Sequence, residues 1–165
     1  MGKSFKLISI LLLLFTFTSG CSDADKQIKE HANEYIDFIS EKYGSNIFEY
    51  DSLERVNSDD FDNETFVYYK SDSYNLSLTL MFDKDSDLKG ASLSIDKPDI
   101  ELNKIVYTTI CYCLSLFSDF QLVGNYNEDI DKVVDGELEF VSTPLCRINT
   151  TKLNDDHQMF MIRLK

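Results

Sequence analysis

Residues 76–82 read Leu-Ser-Leu-Thr-Leu-Met-Phe, and this segment limits the fold more than any other. Leu76, Leu78, Leu80 and Phe82 alternate with Ser77, Thr79 and Met81, the period-two pattern of a strand with one face in a core. The spacing predicts a strand over Tyr74–Phe82. Thr65–Lys70 is aromatic and β-branched, and the gap Ser71-Asp72-Ser73 joins the two segments as a hairpin. Ala91, Leu93 and Ile95 alternate again and predict the next strand. Ile47, Phe48, Tyr50 and Val56 favour extended chain over Asn46–Val56. Residues 57–64, NSDDFDNE, read as a polar loop.

Helical periodicity appears in three places. Ile28, Ala32, Tyr35, Ile36, Ile39 and Tyr43 share one face of a helix predicted over Asp23–Tyr43, capped by Ser22 or Asp23 and ended by Gly44. Pro98, Asp99 and Glu101 suit the first turn of a second helix running to about Ser118. Its apolar stripe is Leu102, Val106, Ile110, Cys113 and Phe117. A short helix near Asn127–Val134 ends at Gly136. Strands over Glu137–Ser142, Leu145–Thr151 and Gln158–Leu164 close the chain. The order predicts an α+β fold, with an antiparallel sheet of about six to seven strands and helices on one face. It also suggests two α-then-β-meander units, residues 23–96 and 99–165.

The first residues have a different character. Lys3 and Lys6 precede Leu7–Thr18, a twelve-residue run without charge. A spanning helix needs about 20 apolar residues, whereas a run of this length fits the apolar region of a secretory signal. Thr18-Ser19-Gly20-Cys21 follows. It resembles the lipobox of bacterial lipoproteins, with Thr18 where Leu is usual. The resemblance covers about 21 residues. It implies cleavage between Gly20 and Cys21, and a covalent diacylglycerol on the Cys21 sulfur. Two acyl chains, at about 0.8 kcal/mol per buried CH₂, hold a protein at a bilayer without a spanning helix. The implied location is the outward or periplasmic side of a bacterial membrane. Ser22 at the second mature position favours the outer membrane in a cell that has two. The expected division is a signal peptide over 1–20, a short tether over 21–26 and one α+β domain over 27–165.

Losing Lys3 and Lys6 with the leader takes the formal charge from −13 to −15. Such acidity argues against nucleic acid, which needs clustered Lys and Arg. It also argues against electrostatic attachment to anionic lipid, leaving the membrane to be reached through the anchor. A chain 43% apolar and 13% aromatic can build a packed core rather than remain disordered.

Few residues suggest chemistry. Asp83, Asp85 and Asp87 alternate as at the start of a calcium-binding EF-hand loop. The positions that require Gly and Glu hold Leu88 and Ser94, so a solvated hairpin turn is the main reading and a calcium site the alternative. Asp59, Asp60, Asp62 and Glu64 form a second acidic loop. Cys111 and Cys113 are too closely spaced for a redox pair. On a helix their side chains point about 200° apart. The best geometric candidate for a disulfide is Cys113–Cys146, worth about 2–4 kcal/mol. The alternative is buried thiols acting as small apolar residues. His31 and His157 read as exposed or edge residues without a partner. No phosphate loop, Gly-x-Ser-x-Gly elbow or zinc-ligand spacing occurs, so no catalytic residue, metal or cofactor is assigned. Glu137 and Glu139 share a strand face that reads as solvated surface. In Phe66–Tyr69 both strand faces are apolar, which suits a doubly covered strand or an exposed aromatic patch.

The expected function is a non-enzymatic, lipid-anchored module that binds a protein or envelope ligand, with acidity favouring a basic partner. The alternatives are an envelope hydrolase using acidic residues and a calcium-binding structural module. The hydrolase requires a pocket that gathers two carboxylates, or a carboxylate with a His.

Overall fold

The computed structural model describes residues 23–43, 47–56, 63–97, 100–115, 127–154 and 156–165. The leader, Cys21, Gly44, most of the 57–64 loop, Pro98 and Phe117 lie outside these residues, as do the side chains of Cys111 and Cys113. Among the described residues three helices, α1 (Asp23–Tyr43), α2 (Ile100–Ser115) and α3 (Asn127–Val134), accompany seven strands. The strands are β1 (Glu49–Val56), β2 (Glu64–Ser71), β3 (Leu76–Phe82), β4 (Leu88–Asp96), β5 (Phe140–Ser142), β6 (Cys146–Asn154) and β7 (His157–Leu164). They form one sheet, β1-β2-β3-β4-β7-β6-β5, and every pairing is antiparallel. The fold is α+β, as the alternating segments require.

The register explains how the helices bury one side. Val67 and Tyr69 stand opposite Leu80 and Leu78, Leu78 opposite Leu93, and Leu93 opposite Phe160. Ile148 lies beside Ile162. All belong to a single hydrophobic core with Ile28, Ala32, Tyr35, Ile36 and Ile39 of α1, Leu102, Ile105, Val106 and Ile110 of α2, and Ile130, Val133 and Val134 of α3. Where their side chains are described, the predicted helical stripes are therefore the faces that pack. Burial pushes the Tyr69 phenol up to about 12, with Tyr50 and Asp37 adding to the shift. That phenol therefore stays neutral.

No described helix covers the opposite face. Phe66 and Met81 are buried there but lie outside the main core. They face each other across β2 and β3, and the Phe66 ring stacks on Tyr68 with centroids 6.4 Å apart. Val67 and Tyr69 thus face the core, while Phe66, itself buried, and the half-buried Tyr68 lie on the open face, so these rings are not an exposed patch.

The meanders β1–β4 and β5–β7 meet through their last strands, β4 and β7. This arrangement matches two α-then-β-meander units joined edge to edge. The hairpin between β2 and β3 is a four-residue turn, closed by Tyr74 N–H donating to Ser71 O at 3.3 Å. Asn75 takes the left-handed conformation at φ 51°. This delays β3 to Leu76. Strand β5 is shorter than expected because residues 136–138 end α3 instead. Gly136, at φ 76°, donates to Val133 O, while the Glu137 and Leu138 amides both reach Lys132 O. Glycine supplies that left-handed stop without a Cβ penalty.

Helix α1 begins at Asp23, where the helical periodicity placed it, so residues 23–26, assigned also to the tether, are helical. Asp25 Oδ1 accepts from Arg55 Nη2 of β1 at 2.6 Å. Acidic residues suit a helix N-terminus, and Arg55 supplies the partner that holds this turn to the sheet.

Candidate functional site

Strand alternation places Ser92, Ser94 and Asp96 of β4 on the open face. The β4–β7 register sets Asp96 directly opposite His157 and Ser94 opposite Met159. From there the His157 ring reaches both β4 side chains. Its Nδ1 hydrogen-bonds Asp96 Oδ1, and its Nε2 lies 2.9 Å from Ser94 Oγ. A carboxylate on Nδ1 favours the tautomer with the proton there, leaving Nε2 to accept from the Ser94 hydroxyl. His157 is half-buried, at 29% side-chain exposure, and Asp96 is exposed.

A cleft of about 210 Å³ opens over this cluster, walled by Ser71, Asp72, Asn75 and Ser77. Ser77 faces Ser94 across β3 and β4. A second cleft, about 380 Å³, lies at the same end between the residues preceding β1 and the β2–β3 turn. The first cleft gathers Asp72, Asp96 and His157, the combination of carboxylate and imidazole that a hydrolase requires. His157 is therefore not the unpartnered edge residue expected from sequence. Ser94 and Asp96 were missed altogether. Their Ser-x-Asp spacing puts both on one strand face, but only the strand pairing brings in a histidine 61 residues away.

The other end of the sheet is a set of closed ion pairs. Arg163 Nη2 donates to Glu64 Oε1 at 2.6 Å, near Asp25–Arg55, and Lys89 Nζ sits 3.1 Å from Asp83 Oδ2. The Asp83–Asp87 segment is a turn organised by the Asp83 carboxylate. Its Oδ1 accepts the amides of Asp85 at 2.9 Å and Asp87 at 3.0 Å. Burial pushes the Asp83 carboxyl up, but those amides and Lys89 outweigh it and hold the group below the usual carboxylate range. Asp85 and Asp87 are exposed. Among the described residues no group of three or more His, Cys, Asp or Glu is arranged to hold a metal ion. His31 also has a partner: its Nδ1 lies 3.0 Å from Ser86 O, tying this turn to α1.

Cys146 is a free, buried thiol, so the expected Cys113–Cys146 bridge is not formed. The helix packed over β6 is α3, while α2 lies over β4 and β7. The sulfur instead sits 3.4 Å from Thr143 Oγ1. Burial raises its pKa, against smaller lowering effects from Thr143 and Lys165, so it behaves as an inert core group. Glu137 and Glu139 are exposed, as expected. No described helix is long and apolar enough to cross a membrane.

Comparison with protein families, with curated proteins and with solved structures finds no match.

Proposed function

We propose that this chain is a bacterial envelope lipoprotein, held by a diacylglycerol on Cys21, whose domain binds a protein or envelope ligand on the outward or periplasmic side. The observation that carries the anchor is the charged start and apolar run ending in Thr18-Ser19-Gly20-Cys21, and the position of α1 gives the orientation the domain would take. The helix starts two residues after Cys21, and Asp25–Arg55 ties its first turn to the sheet. Two extended residues reach only about 7 Å. An acylated Cys21 would thus hold the Arg55 and Asp83 end of the sheet against the lipid. The Ser94–His157 end would face away, since β4 carries the chain roughly 25 Å from Leu88 to Asp96 at about 3.3 Å per residue. The mature charge of −15, from −13 less the leader's two lysines, would steer basic ligands toward the domain.

Exchange of residues 1–21 for an ordinary cleavable secretory leader tests the anchor. The natural chain is expected in the membrane fraction, released only by detergent. The exchanged chain is expected in the soluble exported fraction. Equal retention of both in the membrane fraction would refute the reading.

An envelope hydrolase is the second reading. One observation favours it: the Asp96–His157–Ser94 hydrogen-bond chain beneath an open cleft.

A further inference from the structure

We infer that Ser94 is a nucleophile activated by His157, acting on small esters or thioesters in the cleft at the β2–β3 turn. This deepens the hydrolase reading and does not depend on how the chain is anchored.

Three features of the cluster carry the inference. The hydroxyl lies 2.9 Å from the ring nitrogen that would take its proton, within the reach required of a general base. The opposite ring nitrogen is held by a carboxylate, which orients the imidazole and stabilises the cation formed when it accepts that proton. Finally, the group is accessible, because Ser94 and His157 both line an open cleft rather than the core.

The chemistry balances without a further reagent. Ser94 Oγ adds to the substrate carbonyl carbon as its proton passes to His157 Nε2. The tetrahedral adduct collapses, the bond from carbon to the leaving oxygen or sulfur breaks, and the leaving group departs with the proton from His157. A water molecule then attacks the acyl-serine. It gives a proton to the same nitrogen, which returns it to Ser94 as the acid leaves. Asp96 touches no reacting atom and is a positioning residue.

The cleft's contents define the substrate class. About 210 Å³ admits a short acyl group rather than a lipid chain. Asp72 and Asp96 disfavour an anionic substrate and accept a neutral or cationic one. Ser94 sits within a strand paired on both sides, so its backbone is committed to the ladders. Charge developing on the carbonyl oxygen must therefore be met by side chains, for which Ser77 and Asn75 are in place along the wall. Loss of a single oxyanion donor costs about 10²–10³ in other serine enzymes. A strand-borne serine is thus expected to react slowly in both acylation and deacylation.

The test is covalent labelling of the full chain in membranes of the expressing host with a biotinylated alkyl fluorophosphonate. Attack by Ser94 forms an O–P bond and expels fluoride. The expected result is label on the peptide containing Ser94, absent after heat denaturation, lost in Ser94→Ala and retained in Ser92→Ala, which lies on the same strand face but outside the cleft. His157→Ala should slow labelling by about 10²-fold or more, the usual contribution of a general base. Asp96→Asn should slow it at least tenfold, and Asp96→Glu should recover most of that loss, which a purely structural contact would not produce. No label on the native wild-type chain would overturn the proposal, as would equal label on native Ser94→Ala or label that survives denaturation. The three residues would then form a cross-strand hydrogen-bond ladder that sets the β4–β7 register.

Discussion

Gly90→Ala is expected to destabilise the domain by about 3 kcal/mol or more, at the upper end of what overpacking costs. A Cβ built on Gly90 lies 2.2 Å from the Ile162 carbonyl oxygen, 2.9 Å from Met81 Cε and 3.3 Å from Arg163 Cα. Met81 can swing away, but the carbonyl is backbone, so β4 and β7 must part to admit one methyl group. Gly90 pairs with Arg163 at the seam between the two meanders, where a wider spacing would weaken a ladder both halves depend on. Urea denaturation followed by circular dichroism measures the effect. A midpoint unchanged from wild type would show that the two strands do not approach this closely.

Phe160→Ala should cost about 3–5 kcal/mol, the range for deleting a buried aromatic ring. Phe160 is 1% exposed and among the largest fully buried side chains. It stands opposite Leu93 on one side and Thr150 on the other, on the strand that α2 packs over. Its removal empties the centre of the layer where both meanders meet the helices. Domains of this kind are stable by only about 5–15 kcal/mol, so the folded-to-unfolded ratio falls by about two to four powers of ten and a marginal domain unfolds in part at growth temperature. The same denaturation experiment reads it. A loss below about 1 kcal/mol would mean that the centre of the core lies elsewhere.

The elements were legible wherever local periodicity and tertiary burial agree. Leu76, Leu78, Leu80 and Phe82 alternate because one face of β3 meets the helices, so the pattern and its cause coincide. In α1 the stripe from Ile28 to Ile39 marks the packed face for the same reason. The extent of β5 was not legible, because Glu137 and Leu138 have strand-compatible neighbours but their amides are drawn to Lys132 O by the turn at Gly136. The helix start at Asp23 was legible, but its first turn was also assigned to the tether because Asp23–Lys26 looks like a solvated leash. Its partner, Arg55, lies 30 residues away, and no local pattern announces it.

The candidate site was half visible at most. His157 stood out as one of two histidines, but its partners depend on which strands become neighbours and in which register. The pairing of β4 with β7 joins segments separated by the whole of α2 and α3. Shifting it by one residue would turn Asp96 and His157 to different faces. The cysteine bridge failed for the related reason that strand and helix periodicity indicate burial without saying which helix lies over which strand. Cys146 is indeed buried, but α3 covers its strand.

In the proposed arrangement the anchor and the Ser94–His157 cleft would lie at opposite ends of the same sheet. The short distance from Cys21 to α1 allows little slack, so the anchor would set the orientation of the domain as well as its location. Substrates or partners would then be met from the aqueous side, at the cleft between the β2–β3 turn and His157.

Mass spectrometry of the N-terminal peptide, from protein taken intact out of its native membrane, tests this arrangement most directly. The account predicts a peptide that begins at Cys21 and carries the mass of a thioether-linked diacylglycerol. An unmodified Cys21, or a peptide that still includes Leu7–Gly20, would contradict it.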